Sequence, residues 1–161
     1  MKNKLIALIT SLLLCVMLAG CGEDPKLSKF KTEMDAFCNE IVEIDKGINN
    51  INPESETAKD ELLNYLNQAD DAFRKLSNIS VPEEFSYLKD LMTEASQDMT
   101  EAVSLYHDAF SNNSYNEYTF DYATEYYKRA YTRLTYIITL LHGETPEGDD
   151  IIIYEETEAL E

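Results

Sequence analysis

Two heptad runs between Phe85 and Leu141 constrain this chain more than any other feature. The first is Phe85, Leu88, Met92, Ala95, Met99, Ala102, Tyr106 and Ala109; the second is Phe120, Ala123, Tyr127, Ala130, Leu134, Ile137 and Leu141. Both step by three and four without a slip. That spacing holds one stripe against a partner helix at a shallow crossing angle. One position of each seam is repeatedly alanine, at 95, 102 and 109 in the first run and at 123 and 130 in the second. Small side chains at seam positions let two antiparallel backbones come close. The pattern predicts a tight helical hairpin with the rest of the ordered chain packed on it.

Upstream, Leu27, Phe30, Met34, Phe37, Cys38, Ile41, Ile44 and Ile48 follow the same spacing apart from one adjacent pair. They predict an amphipathic helix of about 25 residues, roughly 37 Å long, with Asp24 as N-cap and Pro25 in the first turn. Asn52-Pro53 ends it and is expected to open a second helix, with Asn52 as cap and Pro53 at its first position. The stripe of that helix is Ala58, Leu62, Leu66, Ala69, Phe73 and Leu76, widened by Leu63 and Tyr65. Ser80-Val81-Pro82-Glu83 reads as a capping box, or Pro82 as the first helical residue. On either reading a third helix starts within two residues of Pro82 and runs to about Ser111. Asn112-Asn113-Ser114 breaks it, and Ser114-Tyr115-Asn116-Glu117 is a second capping box opening the fourth. Gly143 suits the position just past a helix end, with Pro146 beyond. Short connections make neighbours antiparallel. About 44% of the chain is apolar, enough to fill a core. The expected fold is all-α: an antiparallel up-down-up-down four-helix bundle over 25–142.

The N-terminus has a different character. Lys2 and Lys4 precede an apolar run from Leu5 to Leu18, too short for a comfortable membrane span and laid out like a signal peptide. It ends in Leu18-Ala19-Gly20-Cys21. This tetrapeptide resembles the lipobox of bacterial lipoproteins. The resemblance implies a signal peptide over 1–20, cleavage after Gly20, and fatty acylation of Cys21 as the mature N-terminus, with 21–24 as tether. It implies a membrane partner through the Cys21 lipid and residence at the extracytoplasmic face of the cell membrane. More generally, the chain resembles small helical lipoproteins of Gram-positive bacteria of uncharacterised role. Lys26, Lys29 and Lys31 would then lie near the bilayer, to touch anionic head groups or simply remain solvated. With Cys15 removed and Cys21 acylated, Cys38 has no partner within the chain for a disulfide. Its place on an apolar face reads as a buried structural thiol, against a reactive or intermolecular one.

Charge narrows the function. There are 31 acidic and 13 basic residues, a net charge of −18, and loss of Lys2 and Lys4 takes it to −20. The balance argues against a general nucleic-acid binder and favours either a soluble, self-repelling surface or cationic partners. The acidic tail over 143–161 holds eight acidic residues from Glu144 onward and no basic one, a composition of flexible segments. Its apolar run Ile151-Ile152-Ile153-Tyr154 either folds back on the bundle or adds as a strand to a partner. Carboxylates in a helical bundle raise the question of a di-iron centre, which needs Glu-x-x-His. His107 follows Ser104 and His142 follows Thr139 at that spacing, so neither supplies it. There is no Gly-x-Ser-x-Gly, no phosphate-cradling glycine loop and no His-Glu-x-x-His. No catalytic residue, metal or cofactor is expected.

Tyrosine is the unusual constellation. Seven of the 11 lie between 115 and 136. Tyr115, Tyr118, Tyr122 and Tyr126 step by three and four along one predicted face, and Arg129, Arg133 and Tyr136 continue a nearby track. A flat ring with a hydroxyl suits a half-wet contact with protein or sugar, and arginine adds charge and stacking. The alternative is that these rings cover the seam. The sequence therefore points to a non-enzymatic interaction module for an envelope protein or cell-wall component. Its competitor is a small-ligand binder with a pocket between helices or under the tyrosines.

Overall fold

The computed structural model describes residues 24–111 and 115–146. The expected signal peptide over 1–20, Cys21, the expected Asn112-Asn113-Ser114 break and the tail from 147 onward lie outside the described residues. The fold is all-α. Helix α1 spans Pro25–Asn50, α2 Ala58–Ser77, α3 Leu88–Ser111 and α4 Glu117–Leu141, with one 3-10 turn at Glu83–Phe85.

Local chemistry sets the ends. Asp24 caps α1, its carboxylate accepting from Lys26 N–H at 3.0 Å with Pro25 in the first turn. The expected second start at Pro53 is not used, and α2 begins five residues later at Ala58. Asn52 still closes a turn: its side chain accepts from Glu54 N–H at 3.2 Å and its carbonyl from Ser55 N–H at 3.0 Å. Ser55 then captures Thr57 N–H at 3.2 Å. Such short polar side chains offer the backbone local bonds that compete with a helix.

The capping box expected at Ser80–Glu83 does not form, because Pro82 is extended at φ −60° and ψ 156° with no side-chain cap bond. The turn after it is 3-10 and carries Phe85 onto Phe30, with ring centroids 5.5 Å apart. The α-helix waits for Leu88. At α4 the cap is Asn116 rather than Ser114; its Oδ1 accepts from Thr119 N–H at 3.1 Å. Asparagine caps as well as serine does, and Asn116 N–H is also tied to Ala109 carbonyl at 3.0 Å. Gly143, at φ +72°, ends α4 as expected. Its N–H bonds the Leu140 carbonyl and Glu144 N–H bonds that of Thr139, the paired pattern that a left-handed glycine permits.

Both seams are closed. Leu88, Met92, Ala95, Met99, Ala102, Tyr106 and Ala109 on α3 are buried, as are Ala123, Ala130, Leu134 and Ile137 on α4. Phe85, Phe120, Tyr127 and Leu141 pack partly buried against this core. Tyr106 lies 5.0 Å edge-on to Phe120 and 6.4 Å from Tyr127, while Glu94 and Asp98 meet Arg133 and Arg129. Positions thus fall along α3 as they rise along α4. The same holds for α2 with α3, where Asn67 meets His107 at 2.8 Å and Asp70 meets Thr100 at 2.6 Å. Helix α1 meets α2 through Phe37 edge-on to Phe73 at 5.5 Å, and through Gly47, where an added Cβ would stand 2.3 Å from the Tyr65 ring. Cys38 is buried among these residues.

Ala102 and Ala130 have no room to grow. Ala102→Leu or Ala130→Leu should lower unfolding free energy by about 1–3 kcal/mol through overpacking. Ala36→Leu, on the exposed side of α1, should stay within about 0.5 kcal/mol of the parent. Urea denaturation of the three variants checks this; equal effects at buried and exposed sites would contradict the close seam.

Candidate functional site

Helix α4 turns its alanines inward and several tyrosines outward. Tyr118 is 82% exposed and Tyr122 50% exposed. The Tyr122 and Tyr126 rings meet edge-on at 5.2 Å, with their hydroxyls 3.4 Å apart. That hydrogen bond is the main reason the Tyr122 phenol is pushed up from its ordinary value. The Arg129 guanidinium lies 4.2 Å over the Tyr126 ring, within the range of a cation–π contact. Tyr122, Tyr126 and Arg129 are therefore brought together as the spacing predicts.

Tyr115 and the two arginines behave differently from this expectation. Tyr115 precedes α4, so helical spacing does not apply to it. Its ring packs on Phe110 and Phe120, each at 5.6 Å, and it remains 54% exposed. The arginines turn their donors into the molecule rather than toward a partner. Arg129 donates to one oxygen of Asp98 and Arg133 to the other, while Arg133 Nε donates to Glu94 at 2.9 Å. Asp98 is only 6% exposed. A carboxylate removed from water needs its charge matched, and a planar guanidinium matches it well. The same bond pushes the Arg129 pKa up, fixing the charge that lies on Tyr126.

A second polar cluster was not foreseen. Tyr131 donates to Asp45 Oδ1 at 2.6 Å, and Tyr127 makes a longer 3.5 Å contact to the same oxygen. The two rings are 4.6 Å apart. Tyr106 continues the polar edge by pairing with the Thr124 hydroxyl at 3.0 Å. Burial raises the Asp45 pKa, and the two tyrosine bonds only partly oppose it. Burial likewise raises both phenols. The signal was present in the sequence. Asp45 follows Ile41 by four and precedes Ile48 by three, and Asp98 sits in the same way between Ala95 and Ala102. Both acids occupy the apolar stripe itself.

Among the described residues no group of three or more His, Cys, Asp or Glu is placed to hold a metal ion, and no helix is long and apolar enough to cross a membrane. Comparison with family models, curated proteins and solved structures finds no match to this chain.

The sign of the Asp45 shift gives a pH dependence. A carboxyl whose folded pKa is raised above its ordinary 3.8 favours the folded state fully below that value, and the advantage is lost as pH rises through the folded pKa. Asp45→Asn keeps the acceptor for Tyr131 and removes the titration. Its stability relative to the parent should therefore improve between pH 3 and pH 7, as measured by urea unfolding at each pH. A difference constant across that range would contradict burial of this carboxyl.

Proposed function

We propose that this chain is a lipid-anchored protein of the extracytoplasmic face of the cell membrane. It acts without catalysis as an interaction module for an envelope protein or a cell-wall component. Residues 1–20 serve as signal peptide, Cys21 carries the lipid, and 21–24 tether the helical domain. That domain, over 25–142, is an antiparallel up-down-up-down bundle followed by the acidic tail over 143–161. The opposed order of contacts in three successive helix pairs supports this topology. In it α1 leaves the membrane and α4 returns, so the start of α4 faces away from the bilayer.

The observation that carries the functional reading is the exposure of Tyr118 and Tyr122 on one face. Large aromatic side chains lose little conformational entropy on contact and are enriched where proteins bind. Beside them Tyr126 is held from below by Arg129, which is itself fixed on Asp98. Tyr126 is thus held in place beside two rings standing free of the core, and a ring already held in place lowers the cost of association.

Crosslinking in the native envelope tests the reading. The mature chain should be recovered from membranes with Cys21 acylated, joined to a defined partner. Tyr118→Ala combined with Tyr122→Ala should lose that partner while helicity is kept. An unacylated, freely released chain would contradict the anchor, and partner recovery unchanged by the double substitution would contradict the face.

A further inference from the structure

Taking the α4 tyrosines as a contact surface, the charge around them narrows what that surface takes. Glu117 and Asp121 flank Tyr118 within one turn of α4, and Glu101 lies on α3 between Asp98, which meets Arg129, and Tyr106, which meets Thr124; all three acids are exposed. Their field reaches Tyr115 and Tyr122. Behind the effect of burial, Glu117 and Asp121 push the Tyr115 phenol up, and behind the Tyr126 hydrogen bond Glu101 does the same to Tyr122. Among the described residues no cation is paired with Glu101, Glu117 or Asp121.

Further along the face the charges are matched. Glu125 is held by Lys128 at 2.6 Å, and Glu94 and Asp98 by the two arginines. Along α4 the acids without an ion pair therefore lie beside the exposed rings. A phenol ring attracts a cation to its face, and Arg129 over Tyr126 already uses that geometry one step away.

We propose that the Tyr118 end of α4 binds a cationic, Lys- or Arg-rich protein segment, its cations lying on the faces of Tyr118 and Tyr122 and pairing with Glu101, Glu117 and Asp121. The net charge of −18 adds long-range steering toward such a segment. An anionic polymer is repelled by the same charges. An uncharged glycan stacks on the rings but leaves the three carboxylates without a role.

The test is titration of the full chain with octalysine at physiological ionic strength, read as amide shifts, with an N-acetylglucosamine hexamer as the uncharged comparison. Octalysine should move resonances around Glu101 and from Tyr115 to Tyr126. Tyr118→Ala with Tyr122→Ala should weaken binding about tenfold. The triple change Glu101→Gln, Glu117→Gln and Asp121→Asn should weaken it more than Glu54→Gln, Glu56→Gln and Glu84→Gln, which removes as many exposed charges elsewhere. Every substituted side chain is exposed, and circular dichroism checks that helicity is kept. Shifts spread over all acidic surfaces, or equal losses in the two triple variants, would overturn the site. If the hexamer perturbs the face and octalysine does not, the face stands and its cationic partner is wrong. If neither perturbs it, the contact surface itself is wrong.

Discussion

The close approach of α3 and α4 is the constraint on which the rest depends. Ala95, Ala102, Ala123 and Ala130 are wholly buried, so the two helices meet through small side chains at the seam rather than through a thick layer of large ones. Dispersion contacts are individually tiny and become substantial only when many atoms pack at short range. Large residues fill what the alanines leave: Met92 and Met99 on one side, Leu134 and Ile137 on the other. Helices α1 and α2 then close over this pair, with Phe73 reaching Phe37 at 5.5 Å and Tyr131 at 5.8 Å.

Apolar seams alone leave register poorly defined, since a helix displaced by a heptad presents a similar stripe. A buried carboxylate, Asp98, and a half-buried one, Asp45, answer that. Asp98 is matched only where Arg129 and Arg133 reach it, and Asp45 only where Tyr131 donates to it. A displaced helix would leave a carboxylate buried without its partner, which costs far more than a matched pair returns. Both acids thereby disfavour wrong alignments. Their placement also links the core to the surface, because the arginine that satisfies Asp98 is the one that supports the Tyr126 ring.

Much of this was legible in the sequence. The two seams, the Asp24 cap and the Gly143 stop rest on spacing and on single-residue backbone preferences, which act locally. The starts of α2 and α3 were not legible. Asn52 and Ser55, on either side of Pro53, capture backbone N–H groups, and Phe85 is committed to Phe30, a residue far away in sequence. The tyrosine track was half legible: spacing brought Tyr122, Tyr126 and Arg129 together but does not extend to Tyr115, which precedes the helix. The inward turn of Arg129 and Arg133 depends on Asp98, an acid about 30 residues away in the sequence that spacing along α4 does not reveal. Its position between Ala95 and Ala102 on α3 was the signal. Gly47 was passed over as well, although a glycine inside a helical pattern marks a place where something packs against the backbone, here Tyr65.

The surface follows from the same arrangement. With the alanines of α4 facing inward, Tyr118 and Tyr122 have nowhere to go but outward, and the acids around them remain in water. The most direct measurement of the arrangement is a nuclear Overhauser spectrum of the domain in solution. Pairing through the seams places the Tyr106 ring against Phe120 and Tyr127, and cross-peaks between Tyr106 ring protons and both of those rings are the predicted result. A well-resolved Tyr106 ring with cross-peaks to neither would contradict the account.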